Sequence, residues 1–452
     1  MPGAVAAQAR YARSGDVHIA YQVVGDGPLD IVWIPSMAHH VELNSENPVV
    51  ARFLARLAKV GRLIVFDKRG TGMSDRVSGD TTLETRMDDI RAVMDEAQSS
   101  RAVVVALGDG DPLAVLFAAT YPDRTEGLVL MNTTPRFVRS PEFPWLRSRS
   151  EYEQRLDDTV RRWTEPDAHE AFLVAGSPDM TGAEQRAFAR VLRLSVSPGA
   201  FRDYMRMNLD VDVCGVLPSV RVPTLILHRT QVGDVRSARY LADRIAGARL
   251  VELAGRNFAP GVGDQEALFV ELERFVDEVR SGSWEAAEPD RVLSTVLFTD
   301  IVGSTRRAAE LGDSAWRRLL TSHHELVRRE LARYRGQELD TAGDGFFASF
   351  DGPARAIRCG CAVVEAVREL GLEVRAGLHT GECEQVDGKV GGIAVHIGAR
   401  IAAEAEAGEV LVSSTVKDLV AGSGITFSDR GSVELKGISG DWRLYAVEQG
   451  AS

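Results

Sequence analysis

Cysteine is scarce in this chain. Cys214, Cys359, Cys361 and Cys383 are the four present in 452 residues, too few and too irregularly spaced to staple a fold or hold zinc. Cys359-Gly-Cys361 lacks the two-residue spacer of a zinc knuckle or redox motif, and no second pair accompanies it. Buried free thiols in a reducing compartment are predicted. Long apolar runs are missing too: nowhere do some 18 apolar residues follow one another, so no membrane span is expected. The opening MPGAVAAQARYARSGD has no stretch long enough for the apolar region of a signal peptide. Nor is there a basic excess. Against 65 acidic residues stand 53 Lys and Arg, a net charge of -12, and this argues against a nucleic-acid partner. Arginine pairs such as Arg317-Arg318 and Arg328-Arg329 are interleaved with acids, the pattern of a solvated helix face. Repeats and low-complexity tracts are also wanting. A soluble, cytoplasmic protein is expected.

What is present suffices for more than one core. A chain of 452 residues suggests two or three domains, and 44% hydrophobic with 26% charged residues is a globular balance. Ile31-Val32-Trp33-Ile34, Leu63-Ile64-Val65-Phe66, Val103-Val104-Val105-Ala106 and Thr224-Leu225-Ile226-Leu227 are short continuous apolar runs. Such runs suit strands buried on both faces of a parallel sheet. Helix-length stretches, Thr82–Gln98 and Pro112–Tyr121, lie between them, and the alternation predicts an α/β layered domain. A polar, Arg- and Glu-rich stretch at about 140–210 interrupts the pattern and reads as a helical cap. The pattern resumes up to a helix over Asp264–Val279. The following RSGSWEAAEPD, residues 280–290, has Gly, Ser and Pro but no apolar periodicity. The expected organisation is a first domain over 1–280, a linker over 281–290 and a second domain over 291–452.

The second domain opens with an apolar strand, Val292–Ile301. A long helix over about 304–335, a hairpin around Ala342–Gly345 and a helix at 353–370 are predicted next. A strand at 373–379, a helix at 394–407, a short strand at 409–413 and a hairpin ending at Val447 complete it. This order suits a ferredoxin-like α/β sandwich with a mostly antiparallel sheet. Asp300 stands at the end of the first strand, and Gly303-Ser304-Thr305 opens a helix directly after it. A helix start offers free backbone N–H groups to a polyphosphate, and a carboxylate beside it can hold Mg²⁺ or Mn²⁺. Asp344 stands at the tip of Gly343-Asp344-Gly345. Strand end and hairpin tip can lie side by side, so the two aspartates can share two ions about 3.5–4 Å apart.

In the first domain, Phe66-Asp67-Lys68-Arg69-Gly70-Thr71-Gly72-Met73-Ser74-Asp75, taken with the strand order, resembles the α/β-hydrolases over roughly residues 15–278. That family carries a Ser on a strained strand-to-helix turn, with an acid and a His later in the chain. Here the matching turn reads Ala106-Leu107-Gly108-Asp109-Gly110-Asp111-Pro112, and Gly108 takes the nucleophile's place. Val232 falls about where the acid belongs, with Asp234 nearby, and Phe258 is the best match to the His. Asp109 or Asp111 could offer a carboxylate nucleophile, but no His near 258 would activate water. The resemblance therefore implies a scaffold without its triad, kept for docking, dimer contacts or sensing an unknown small-molecule or protein regulator.

The run Leu297–Thr305 and the Gly343-Asp344-Gly345 turn are followed by Val374–Glu382, Ala394–Ile401, Glu434-Leu435-Lys436-Gly437 and Trp442-Arg443-Leu444-Tyr445. Together they resemble class III adenylyl and guanylyl cyclases over about residues 291–448. The whole chain is similar to the hydrolase-fused mycobacterial-type adenylyl cyclases. The resemblance implies a homodimer that converts ATP to cyclic AMP and pyrophosphate. Asp300, Ile301 and Asp344 would then hold two divalent ions, and Gly303, Ser304 and Thr305 would lie along the triphosphate. Arg400 matches the arginine that stabilises the transferring phosphate, and His396 replaces the family's asparagine four residues earlier, on the same helix face. Lys436 matches the lysine on the terminal phosphates. The base-reading pair departs: Asp340 stands where ATP cyclases carry a lysine, and Lys389 occupies the second position. An ionised Asp only accepts hydrogen bonds. It could take one from the adenine amino group or two from guanine, so a guanylyl or mixed cyclase stays open. A low-turnover nucleotide sensor or scaffold is the reading from another class.

Overall fold

The structure, a computed structural model, describes residues 8–36, 39–77, 81–165, 176–284, 291–386 and 389–448. The chain divides into two compact units, Met1–Pro289 and Asp290–Ser452. Of the predicted linker over 281–290, residues 285–290 lie outside the described residues.

The first unit is built on an eight-stranded sheet of order β1-β2-β4-β3-β5-β6-β7-β8. Its strands are β1 (Arg10–Ser14), β2 (Val17–Val24), β3 (Asp30–Ile34), β4 (Arg62–Phe66), β5 (Ala102–Leu107), β6 (Thr125–Met131), β7 (Thr224–Arg229) and β8 (Arg249–Leu253). Strands β1, β2 and β4 pair antiparallel, and every pairing from β4 through β8 is parallel. A central parallel strand has helices on both faces, which is why all six residues of β5 are apolar and buried. The cap expected at about 140–210 contains the helices Arg149–Arg161, Gly182–Ser195 and Pro198–Asp210. The first two begin in capping boxes, Ser148 with Glu151 and Thr181 with Glu184. This is an α/β-hydrolase fold.

The second unit has its own sheet, of order β10-β11-β9-β12-β14-β16-β15, with β13 paired to β12. The strands are β9 (Arg291–Ile301), β10 (Gln337–Ala342), β11 (Gly345–Phe350), β12 (Val374–Val386), β13 (Lys389–Gly391), β14 (Val410–Ser413), β15 (Phe427–Glu434) and β16 (Asp441–Val447). Only the β12–β14 pairing is parallel. One face is covered by the helices Asp313–Arg333 and Pro353–Ala366, around Leu297, Val327, Phe346 and Ile357. The other carries the helix Ile393–Glu404.

Two glycines let that helix sit close. A Cβ on Gly377 would collide with the backbone of Ala402, and one on Gly398 would come within 2.6 Å of Val296 Cγ2. The long helix expected over 304–335 is instead two, Ser304–Leu311 and Asp313–Arg333. Gly312 between them adopts φ +73°, a left-handed backbone that ends the first helix. The strand expected to stop at 379 runs on to Val386. Among the described residues, no helix is long and apolar enough to cross a membrane. All four cysteines are free, and burial pushes the thiols of Cys359 and Cys383 up to about 12.

Candidate active site

In the second unit the two expected metal-binding aspartates lie toward one end of the sheet. Asp300 is the next-to-last residue of β9, and the register pairs Phe346 with Thr299, so the turn before β11 lies beside the end of β9. Asp344 occupies that turn. Gly343, at φ +68°, supplies the left-handed backbone the turn needs. The hairpin tip is tied down from behind: His324 Nε2 lies 3.0 Å from the Gly343 carbonyl and donates to it.

Among the described residues, Asp344 Oδ2 is buried without a hydrogen-bond partner. A buried carboxylate oxygen left in this state is costly, and a bound cation is what would satisfy it. Asp300 is partnered: Arg375 Nη2 and Nε donate to its Oδ2 at 2.7 and 3.1 Å. Both bonds fall on one oxygen. No group of three or more His, Cys, Asp or Glu side chains gathers as a metal cage among the described residues. Two carboxylates completed by substrate oxygens suit Mg²⁺ or Mn²⁺. The residues present therefore fit a divalent ion. Ile301 is buried and pairs with Val374 across the sheet.

Immediately beyond, Gly303 caps the helix Ser304–Leu311 at φ +69°, with no side-chain cap bond and no acid in the first turn. Gly303 and Thr305 are exposed and Ser304 is half-buried, so the helix start is open to an anion. His396 and Arg400 lie one turn apart on the helix Ile393–Glu404, and both are exposed. Lys436 is exposed in the loop between β15 and β16, beside Glu434 and Asp441. Asp340 follows a bulge in β10, and its Oδ1 accepts from the Thr341 N–H at 2.8 Å. The side chain of Lys389 lies outside the described residues.

Sequence reasoning missed His324 and the ionic bond from Arg375. The adjacent His323-His324 was a signal for the first. Arg375 stands within the run Val374–Glu382, where nothing local gave it a role.

In the first unit, loops from the carboxyl ends of β3, β5, β6, β7 and β8 line one cavity of about 570 Å³. Gly108 sits at the turn after β5 with φ +59°. Phe258 fills the space a side chain there would need: its Cε2 would lie 3.0 Å from a Cβ on Gly108, and its Cζ closer still. Val232 and Asp234 also line the cavity, with Asp234 held by Arg236 at 2.7 Å. Asp109 accepts from the hydroxyls of Ser36 and Tyr204, and Lys68 Nζ lies 3.2 Å from it. Burial opposes the charge on Lys68, but Asp109 and Tyr204 outweigh it and hold the ammonium above the ordinary lysine range. Asp111 is fully buried, and that burial pushes its carboxyl well above the usual carboxylate range.

Both units resemble known proteins. Residues 287–449 match the family described as the adenylate and guanylate cyclase catalytic domain. A putative adenylate cyclase of Rhizobium meliloti is 28% identical over 157 residues, 33% of this chain and 27% of that protein. An AB hydrolase superfamily protein of Bacillus subtilis is 26% identical over 204 residues, 43% of this chain and 73% of that protein. An esterase from Exiguobacterium antarcticum shares the fold of the first unit: TM-score 0.53, 21% identity, 60% of this chain and all of that one. The chain thus spans about a quarter of the Rhizobium cyclase it matches. It joins an α/β-hydrolase-fold unit to a class III nucleotide cyclase domain.

Proposed function

We propose that the chain is a homodimeric adenylyl cyclase that converts ATP to 3′,5′-cyclic AMP and pyrophosphate, and that its hydrolase-fold unit performs no hydrolysis. The observation that carries the reading is the cyclase-family match over 287–449 together with the unsatisfied Asp344 oxygen beside Asp300 and an open helix start. In the reaction the ribose 3′-oxygen forms a bond to the α-phosphorus, the bond to the β-phosphate oxygen breaks, and the 3′-proton is released. Two divalent ions on Asp300, Ile301 and Asp344 would acidify the 3′-hydroxyl and neutralise the leaving pyrophosphate. The chain's own groups do the rest. Backbone N–H groups of Gly303, Ser304 and Thr305 cradle the triphosphate. Arg400, with His396, meets the charge that grows on the transferring phosphoryl oxygens, and Lys436 grips the terminal phosphates.

A second copy is needed to assemble these groups. Lys436 follows β15, at the opposite edge of the sheet from the Asp344 hairpin. Five strand spacings separate β11 from β15, on the order of 24 Å, beyond the reach of a lysine. Lys436 therefore serves the Asp300 and Asp344 of the other subunit. The face that would meet it is apolar and half-open: Phe298 and Phe347 stack at 4.5 Å, and Ile393 is 57% exposed.

ATP is the proposed substrate because the cyclase relatives are adenylate cyclases by name. Asp340 favours a second reading, GTP, since a carboxylate accepts from both guanine N–H groups. Purified protein incubated with Mn²⁺ and ATP or GTP, with the product identified, tests both. Cyclic AMP forming faster than cyclic GMP is expected, and no cyclic nucleotide from either would overturn the proposal.

A further inference from the structure

The cavity of the first unit is left unused by the cyclase chemistry. Its volume of about 570 Å³ falls within the roughly 300–1,000 Å³ of small-molecule sites. Side chains such as Phe53, Leu107, Leu156, Phe201 and Leu209 wall it, and protein interiors ordinarily close up such apolar space. The two positions where the fold would carry a nucleophile and a base hold neither. Gly108 has no side-chain atom to attack with, and Phe258 stands against it in place of a base.

In the polar floor the Asp109 carboxylate is matched by the Lys68 ammonium. Asp109 is 8% exposed at its side chain and Lys68 2%, so the two charges compensate each other away from water. Tyr204 donates to Asp109 from the cap helix Pro198–Asp210 and accepts from Lys68 at 2.7 Å, closing the cap onto the loops after β4 and β5. A charged ligand inside would lose its hydration and meet no free counter-charge. The cations that line it, Arg147, Arg155 and Arg256, are exposed and so hold an anion weakly, and Arg256 is already bound to Asp179.

We propose that this cavity is a receptor site, which binds an uncharged, largely apolar small molecule and releases it unchanged. The inference does not rest on the cyclase reading. The test titrates the full chain with N-phenyl-1-naphthylamine, an uncharged apolar fluorophore. Saturable single-site binding is expected. Methyl octanoate should displace the dye, octanoate should do so at least tenfold more weakly, and the ester should be recovered intact.

Val50→Trp, from the helix Pro48–Val60, and Thr159→Trp, from the cap, each put an indole into the space. Either should weaken dye binding at least tenfold while melting as the wild type does. If one fails to fold the other decides, and the wild-type competition series decides if neither folds. Undiminished binding in a folded filled variant, octanoate competing as well as its ester, or consumption of the ester would each overturn the proposal. No readout involves a cyclic nucleotide, so a chain inactive as a cyclase would leave all of them unaffected.

Discussion

Arg375 donates twice to Asp300, at 2.7 and 3.1 Å, and its remaining terminal nitrogen donates to the Ala403 carbonyl at 3.0 Å. Arg375 and Asp300 face each other across β12 and β9, and Ala403 belongs to the helix that carries Arg400. One guanidinium therefore orients the carboxylate proposed to bind metal and anchors the helix proposed to bind phosphate.

Removing that link should damage catalysis less than removing the carboxylates. A charge-assisted hydrogen bond is worth about 1.5–3 kcal/mol. Arg375→Ala should therefore lower kcat roughly ten- to a hundredfold. Asp300→Asn and Asp344→Asn should each lower Mn²⁺-dependent turnover more than a hundredfold at any Mn²⁺ concentration, with unchanged melting. Near-normal turnover in either Asn variant would remove the two-carboxylate assignment.

His324 positions the Asp344 hairpin through the Gly343 carbonyl. Losing this single bond, worth about 1 kcal/mol, should raise the Mn²⁺ concentration for half-maximal rate about fivefold in His324→Ala. The effect on kcat at saturating Mn²⁺ should be small, and His324→Gln, which keeps a donor, should recover part of the loss. A metal requirement unaltered in His324→Ala would mean the hairpin holds its shape without the bond.

Asp340 is the proposed reader of the base. A hydrogen bond to the base, made or broken, is worth about 1–3 kcal/mol, roughly ten- to a hundredfold in selectivity. Asp340→Lys, assayed with competing ATP and GTP, should shift the ratio of their kcat/KM values by that amount and leave the metal requirement alone. A constant ratio would show that other groups read the base.

Two core histidines set an acid limit on the cyclase unit. Burial lowers His323 and His379 to about 4, from about 6.5 when unfolded. Between these values the unfolded chain binds more protons than the folded one, so stability is full above pH 6.5 and falls as pH drops toward 4. At about 1.4 kcal/mol per unit, the loss is on the order of 3 kcal/mol per ring by pH 4. His379 also hydrogen-bonds Ser413 at 2.9 Å, a bond that Gln can imitate. Calorimetry of His379→Gln between pH 7 and 4 should give a shallower loss of unfolding temperature than wild type. Parallel curves would show that other groups carry the acid sensitivity.

The sequence by itself determined the local elements. Runs such as 31–34 and 103–106 are apolar at every position, the pattern of a strand covered on both faces, and both lie in the parallel part of the sheet. Asp300 at a strand end, the helix start after it and the glycine-flanked Asp344 were legible because each depends on a few neighbouring residues. The break at Gly312 was not, because a glycine within a helical pattern marks a turn only if the following helix packs in a new direction.

Tertiary structure alone decided what crosses long distances in the chain. Phe258 against Gly108, Tyr204 and Lys68 on Asp109, and Arg375 on Asp300 each join residues tens to hundreds of positions apart. Periodicity specifies which face of an element is buried. Which residues then meet there is set by strand order and by how closely the layers pack, and neither is written in any one segment.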